Sequence, residues 1–227
     1  MIVQDLKTKI EDYAARLERD NRLLRLARAG GVSSEIITAY LSGVLFMIRH
    51  TPIHLELAAR QARAVGREDL AGFFLHKITE ERGHDQWAMQ DFKELAKLFG
   101  AAAAQPPHAS MVALVGVVER AIGRQPASYL AYILLVEYLT VLIGPAWLAA
   151  LEQRCGIPRH ALSVVSKHVE LDQQHVEDGL LSLNRLLTDA DTAALTDLLA
   201  RSIACYDAFY DALYDLHAEP IAAHASV

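Results

Sequence analysis

Six side chains in this sequence have the types and spacing to hold metal ions. The segment SKHVELDQQHVEDG carries His168, Asp172 and His175 at positions i, i+4 and i+7. At about 100° per helical residue these three fall within about a 60° arc and share one side of a helix. In HKITEERGHDQW, Glu81 and His84 stand at i and i+3, again neighbours on a helix surface. Glu137 lies alone in the middle of an apolar stretch, YLAYILLVEYLTVLIGPAWLAAL, from Tyr129 to Leu151. A carboxylate buried there is costly unless a partner compensates it. Three imidazoles and three carboxylates suit iron or manganese, whereas zinc and copper(I) sites more often recruit thiolates. Three carboxylates also offset most of the charge of two divalent ions, and Glu-x-x-His on bundle helices is one way to build a di-iron carboxylate site.

Each feature also has a plain structural meaning. EERGHD suits an ordinary solvated helix face, and the 168/172/175 triplet suits surface ion pairs or a cap. Glu137 suits a buried acid paired with Arg or Lys. A metal centre is favoured by the conjunction, because it gives all three features a single cause.

The elements that must position these residues are helical. The chain has 227 residues, 52% of them hydrophobic and 22% charged, which supports a sizeable core and excludes global disorder. Periodicity of about 3.6 predicts helices over 5–29, 33–49, 52–66, 68–99, 111–122, 127–154, 158–187 and 191–218. Gly30-Gly31 stops the first, Ser33 or Ser34 caps the second, and Thr51-Pro52 starts the third. The stretch AAAAQPPHAS is a short linker. Joints are short and no repeat period stands out, so a single all-α domain over residues 1–227 is expected. The Tyr129–Leu151 stretch is long enough for a membrane span, but Glu137 at its centre and the interruption by Gly144-Pro145 fit a central helix of a large helical domain better.

Charge and cysteine usage narrow the class. With 28 acidic against 22 basic residues the formal net charge is −6, which disfavours nucleic-acid binding. Two cysteines, Cys155 and Cys205, are too few for a disulfide framework or a thiolate zinc site, so reduced cytoplasmic thiols are expected, with Cys205 a small buried hydrophobe. The opening residues lack the apolar run of a signal peptide. Other polar residues have mainly structural readings. Pro52 separates His50 from His54, so their shared face is expected to be lost. Arg16, Arg19, Arg22, Arg25 and Arg28 wrap slowly around one helix as a solvated face, with docking of an acidic carrier protein as the functional alternative. Tyr206, Tyr210 and Tyr214 read as core, with Asp207, Asp211 and Asp215 as rim. His76 is a candidate neighbour of the site. Lys77 is placed to pair with a ligand carboxylate or to hold a substrate acid.

The order Glu81 and His84, then Glu137, then His168, Asp172 and His175, with its approximate spacings, resembles the haem-oxygenase-like di-iron oxidases and oxygenases, within the superfamily that includes TenA-like and PqqC-like proteins. The resemblance covers roughly residues 73–184, and His-x-x-x-Asp-x-x-His is its most specific part. It implies an all-α bundle of about seven to eight helices. It also implies that these six residues are metal ligands for two Fe(II) ions, with manganese the alternative metal. Some members place the first glutamate where this chain has Lys77; Glu81 is therefore the candidate here and Glu80 the reserve. The resemblance further implies O₂-dependent oxidation of a small organic substrate such as an amino acid, amine or fatty acid, by N-oxygenation, oxidative C–C cleavage or desaturation.

Relatives of that fold supply competing expectations. Haem degradation needs a histidine on the first helix, but none precedes His50. A thiaminase-II-like enzyme needs a nucleophilic cysteine on the central helix, which has none before Cys155. A cofactorless PqqC-like oxidase and a non-catalytic metal-binding or partner-docking protein stay as alternatives. A homodimer is compatible with the chain. The apolar residues near Glu137 (Leu134, Leu135, Val141, Leu142) are expected to be core, with a wall for a lipid-like or aromatic substrate as the other use.

Overall fold

The computed structural model describes residues 2–100 and 102–218. Among them are nine α-helices, three short 3₁₀ turns and no strand, the all-α class that the periodicity predicts. In chain order the helices are α1 (Ile2–Asp20), α2 (Arg22–Arg28), α3 (Ser34–Ala64), α4 (Glu68–Glu81), α5 (His84–Phe99), α6 (Ala109–Arg124), α7 (Tyr129–Cys155), α8 (Ser163–Leu186) and α9 (Thr192–Ala218). α7 packs against α8, α9, α1 and α2, and α3 packs against α4, α5, α6 and α9. The buried apolar residues form one contiguous cluster, from Val3 and Leu6 to Phe209 and Leu213. Two stretches, Ser34–Ala64 and Pro126–Cys155, are long and apolar enough to cross a membrane by length and composition. In this structure each packs among the other helices of the bundle.

Three departures from the expected helices stand out, each with a local cause. The first expected helix breaks at Asn21, whose Oδ1 accepts the Leu24 N–H at 3.0 Å and caps α2. The second and third are one helix: α3 runs through Pro52. Proline removes one backbone donor, yet Thr51 Oγ1 donates to the Met47 carbonyl at 3.2 Å and His50 Nδ1 lies 2.8 Å from that of Phe46. Buried Leu41, Leu45, Leu55, Ala58 and Ala62 continue the packed face across the proline. His50 and His54 therefore share a face, with rings 5.8 Å apart, contrary to expectation. The long 68–99 helix breaks between α4 and α5 at Gly83, whose φ of 88° is left-handed, a conformation glycine adopts at little cost. By contrast, α7 follows the expected 127–154 span, running unbroken through Gly144 and Pro145 to Cys155. A Cβ at Gly144 would come within 2.4 Å of Val169 Cγ2, so this glycine lets α7 and α8 approach closely.

Long-range polar contacts hold the remaining elements. Arg16 pairs with Asp207 at 2.8 Å, and Arg22 with Asp211 and Asp215 at 3.0 and 3.4 Å. The acidic partner of these two arginines is the chain's own α9. More consequential is Asp91 of α5, fully buried. It accepts the N–H groups of Ser163 and Val164 at 2.9 and 2.8 Å and the Ser163 hydroxyl at 2.6 Å. A side chain from another helix thus caps the N-terminus of α8, the helix that carries His168, Asp172 and His175. Asp91→Ala leaves those donors buried without an acceptor and is expected to lower stability by about 2 kcal/mol. Thermal unfolding followed by circular dichroism checks this, and an unchanged Tm would contradict the capping role.

Candidate metal centre

The six sequence candidates lie in two groups. One ligand atom each from Glu81, His84 and His168 fall within 4.8 Å of one another, and the same holds for Glu137, Asp172 and His175. Glu81 ends α4, His84 begins α5, and the Gly83 turn between them sets their relation. Glu81 Oε2 lies 3.1 Å from His84 Nδ1, and the His84 and His168 rings stand perpendicular at 4.9 Å. The ring of Trp87 stacks on His84 at 4.2 Å, a support that sequence spacing alone did not single out. His168 Nδ1 is 2.6 Å from the Val164 carbonyl. That contact calls for an N–H on Nδ1 and leaves Nε2 as the basic nitrogen, the usual way a metal-binding imidazole is oriented. The donor chemistry and spacing of this first group therefore fit a divalent metal ion.

The second group joins α7 to α8. Glu137 and Asp172 are buried, and His175 Nδ1 lies 3.5 Å from Asp172 Oδ1. Its donor set also fits a metal, but Glu137 already has a cationic partner: Lys77 Nζ donates to Glu137 Oε1 at 2.7 Å. The same ammonium is 2.9 Å from Glu80 Oε2. Glu80, the reserve candidate, thus sits with Lys77 and lies 3.9 Å from His175 Nε2, while Glu81 sits with His84 and His168. Lys77 thus pairs with a candidate ligand carboxylate, one of its two expected uses. His76 is largely exposed and reaches Glu80 Oε1 at 3.2 Å.

The electrostatics follow from burial. Burial pushes the Glu137 carboxyl up to about 7, outweighing the attraction of Lys77. Burial also pushes Glu81 upward, but the His84 hydrogen bond and the nearby imidazoles outweigh it and hold Glu81 below the usual carboxylate range. The contact with Asp172 raises His175. Burial lowers Lys77, but Glu137 and Glu80 more than offset it, so the ammonium is held charged.

A cavity of about 210 Å³ adjoins both groups, with Lys77, Glu81, Glu137, His168 and Asp172 in its lining. Its other walls are largely apolar and aromatic, including Tyr40, Met47, Ile143, Trp147, Tyr206 and Tyr210. α7 contributes Ile133, Val136, Leu139, Thr140, Ile143 and Trp147. Leu134 and Leu135 are fully buried core, as expected, whereas Leu142 is only half-buried against the core and Val141 is half-buried outside it; none of the four lines the cavity. Tyr206 and Tyr210 belong to the cavity wall as well as to the core. Elsewhere, His54 is buried, with neither ring nitrogen hydrogen-bonded, and burial lowers it to about 4. Both cysteines are free thiols; Cys205 is half-buried rather than enclosed.

A pH dependence follows for the metal-free protein. Because the folded Glu137 carboxyl titrates above its unfolded value of 4.5, folding favours its protonated form. Its contribution is most favourable below pH 4.5 and declines as pH rises toward 7. Glu137→Gln removes this decline. Relative to the wild type, the variant is expected to gain stability steadily from pH 4.5 to 7, measured by denaturant titration at each pH; parallel curves would contradict the burial of a strained carboxylate.

Comparisons with known proteins bear on the fold. No protein-family model and no curated protein matches the sequence. Solved structures do. A domain of unknown function with a haem-oxygenase-like fold from Shewanella denitrificans superposes with a TM-score of 0.81 at 15% identity, covering 95% of this chain and 93% of that one. A CADD-like protein of unknown function from Nostoc punctiforme gives 0.70 at 16% identity, covering 95% and 100%. A TenA homolog from Pseudomonas syringae pv. tomato gives 0.68 at 14% identity, covering 93% and 92%. Taken with the helical architecture, these likenesses show that the chain has the haem-oxygenase-like fold.

Proposed function

We propose that this chain is a non-haem di-iron oxidase or oxygenase that uses O₂ to oxidise a small, largely apolar organic molecule. The observation that supports this best is that residues from two nitrogen–oxygen donor groups line the same largely apolar cavity. Glu81, His84 and His168 would hold one ion, and Glu137, Asp172 and His175 a second. When bound, iron would supply the electrons and Lewis acidity for O₂ activation, chemistry that protein side chains cannot provide.

The chain's own residues do the rest. The Val164 carbonyl fixes the His168 tautomer, and Trp87 fixes the plane of His84. Asp91 anchors the start of α8 and so sets the position of its three donors. The apolar walls around Met47, Ile143 and Trp147 bind the substrate and exclude water from the reacting centre. Lys77 Nζ holds positive charge against Glu137 Oε1 at the edge of the cavity. The substrate belongs to the amine, amino-acid or fatty-acid-like classes, and the two free thiols suit a reducing, cytoplasmic setting.

Anaerobic addition of Fe(II) followed by elemental analysis, then oxygen-electrode recording, tests the proposal. Metal uptake and O₂ consumption above that of free Fe(II) are expected. His168→Ala should abolish tight uptake while leaving the helical circular dichroism intact. Metal uptake without any O₂ consumption across amines, amino acids and fatty acids would mark a passive metal binder instead. No uptake at all would overturn the proposal.

A further inference from the structure

Among the described residues a lysine forms an ion pair with the second donor group and not with the first, where its charge acts on Glu81 only from farther off. Lys77 is buried at 5% exposure, and its ammonium contacts Glu137 Oε1 at 2.7 Å and Glu80 Oε2 at 2.9 Å. Among the described residues no Lys or Arg forms an ion pair with Glu81, whose partner is His84. A metal ion bonded to a carboxylate oxygen lies about 2.0–2.2 Å from it. An ion on Glu137 would therefore face the ammonium held by the same carboxylate, and because both side chains are buried the repulsion is weakly screened. Glu81, His84 and His168 offer three donors with no such competitor.

We propose that Lys77 is the resident cation of the second position and competes with a metal ion for Glu137, so that the two positions fill in order. The Glu81–His84–His168 group loads first and tightly. The Glu137–Asp172–His175 group loads second, about tenfold or more weakly, because Lys77 must first release its carboxylate. Lys77 is thus a positioning residue that sets how many metal ions the chain holds at a given concentration. This inference rests on the metal-binding proposal above.

Mn(II) titration with free Mn(II) followed by electron paramagnetic resonance reads the occupancy without any turnover. The wild type is expected to take up one tight equivalent and a second with a Kd at least about tenfold higher. Lys77→Gln removes the charge but keeps a donor to Glu137, and its second Kd is expected to fall by about tenfold or more. Lys77→Arg, which keeps a cation there, should retain the weak second step. Two equivalent tight sites in the wild type would overturn the inference on their own, whatever the variants do. So would an unchanged second step in folded Lys77→Gln, while leaving metal binding itself in place. No uptake by any of the three proteins would overturn the metal-binding proposal and this inference with it.

Discussion

Four carboxylates, Glu80, Glu81, Glu137 and Asp172, gather around Lys77, His84, His168 and His175, and two of them, Glu137 and Asp172, are almost wholly excluded from water. Mutual repulsion and desolvation make such a cluster untenable without positive charge or hydrogen bonding close by. Lys77 supplies one positive charge, and the imidazoles of His84, His168 and His175 supply polar contacts. The rest of the centre depends on that constraint. It explains why a lysine is buried in the core, why Glu137 titrates so high, and why the donors of the site suit divalent cations.

The fold meets the constraint by breaking and capping helices at chosen places. Gly83 ends α4 so that Glu81 and His84 approach His168 from two helices rather than one. Gly144 brings the acid-bearing α7 against the triplet-bearing α8. Asp91 fixes where α8 begins. The cavity lies beside the same residues, enclosed mainly by α3, α7 and α8, so candidate ligands from both donor groups form part of its wall.

The helical class and the grouping of charged side chains were legible because both are written in local spacing. His-x-x-x-Asp-x-x-His shares a helix face by geometry alone, and an acid inside an apolar helix demands a partner wherever the helix goes. Interactions between distant segments were not legible in the same way. Asp91 caps a helix 72 residues away, and nothing near it in sequence signals that role. Pro52 read as a helix start because proline favours that position, but packing on both sides of it keeps α3 continuous. The break at Gly83 leaves no mark in the spacing, because EERGHD keeps helical periodicity through the turn. The spacing of Lys77 suggests a carboxylate partner, but only the assembled bundle shows that the partner is Glu137 rather than Glu81.

X-ray diffraction from crystals soaked anaerobically in Fe(II), recorded at the iron absorption edge, tests the central assignment most directly. An anomalous peak enclosed by Glu81, His84 and His168 is expected, with any second peak between Glu137, Asp172 and His175 weaker. Ordered crystals showing no anomalous density at either place would contradict a metal centre in this protein.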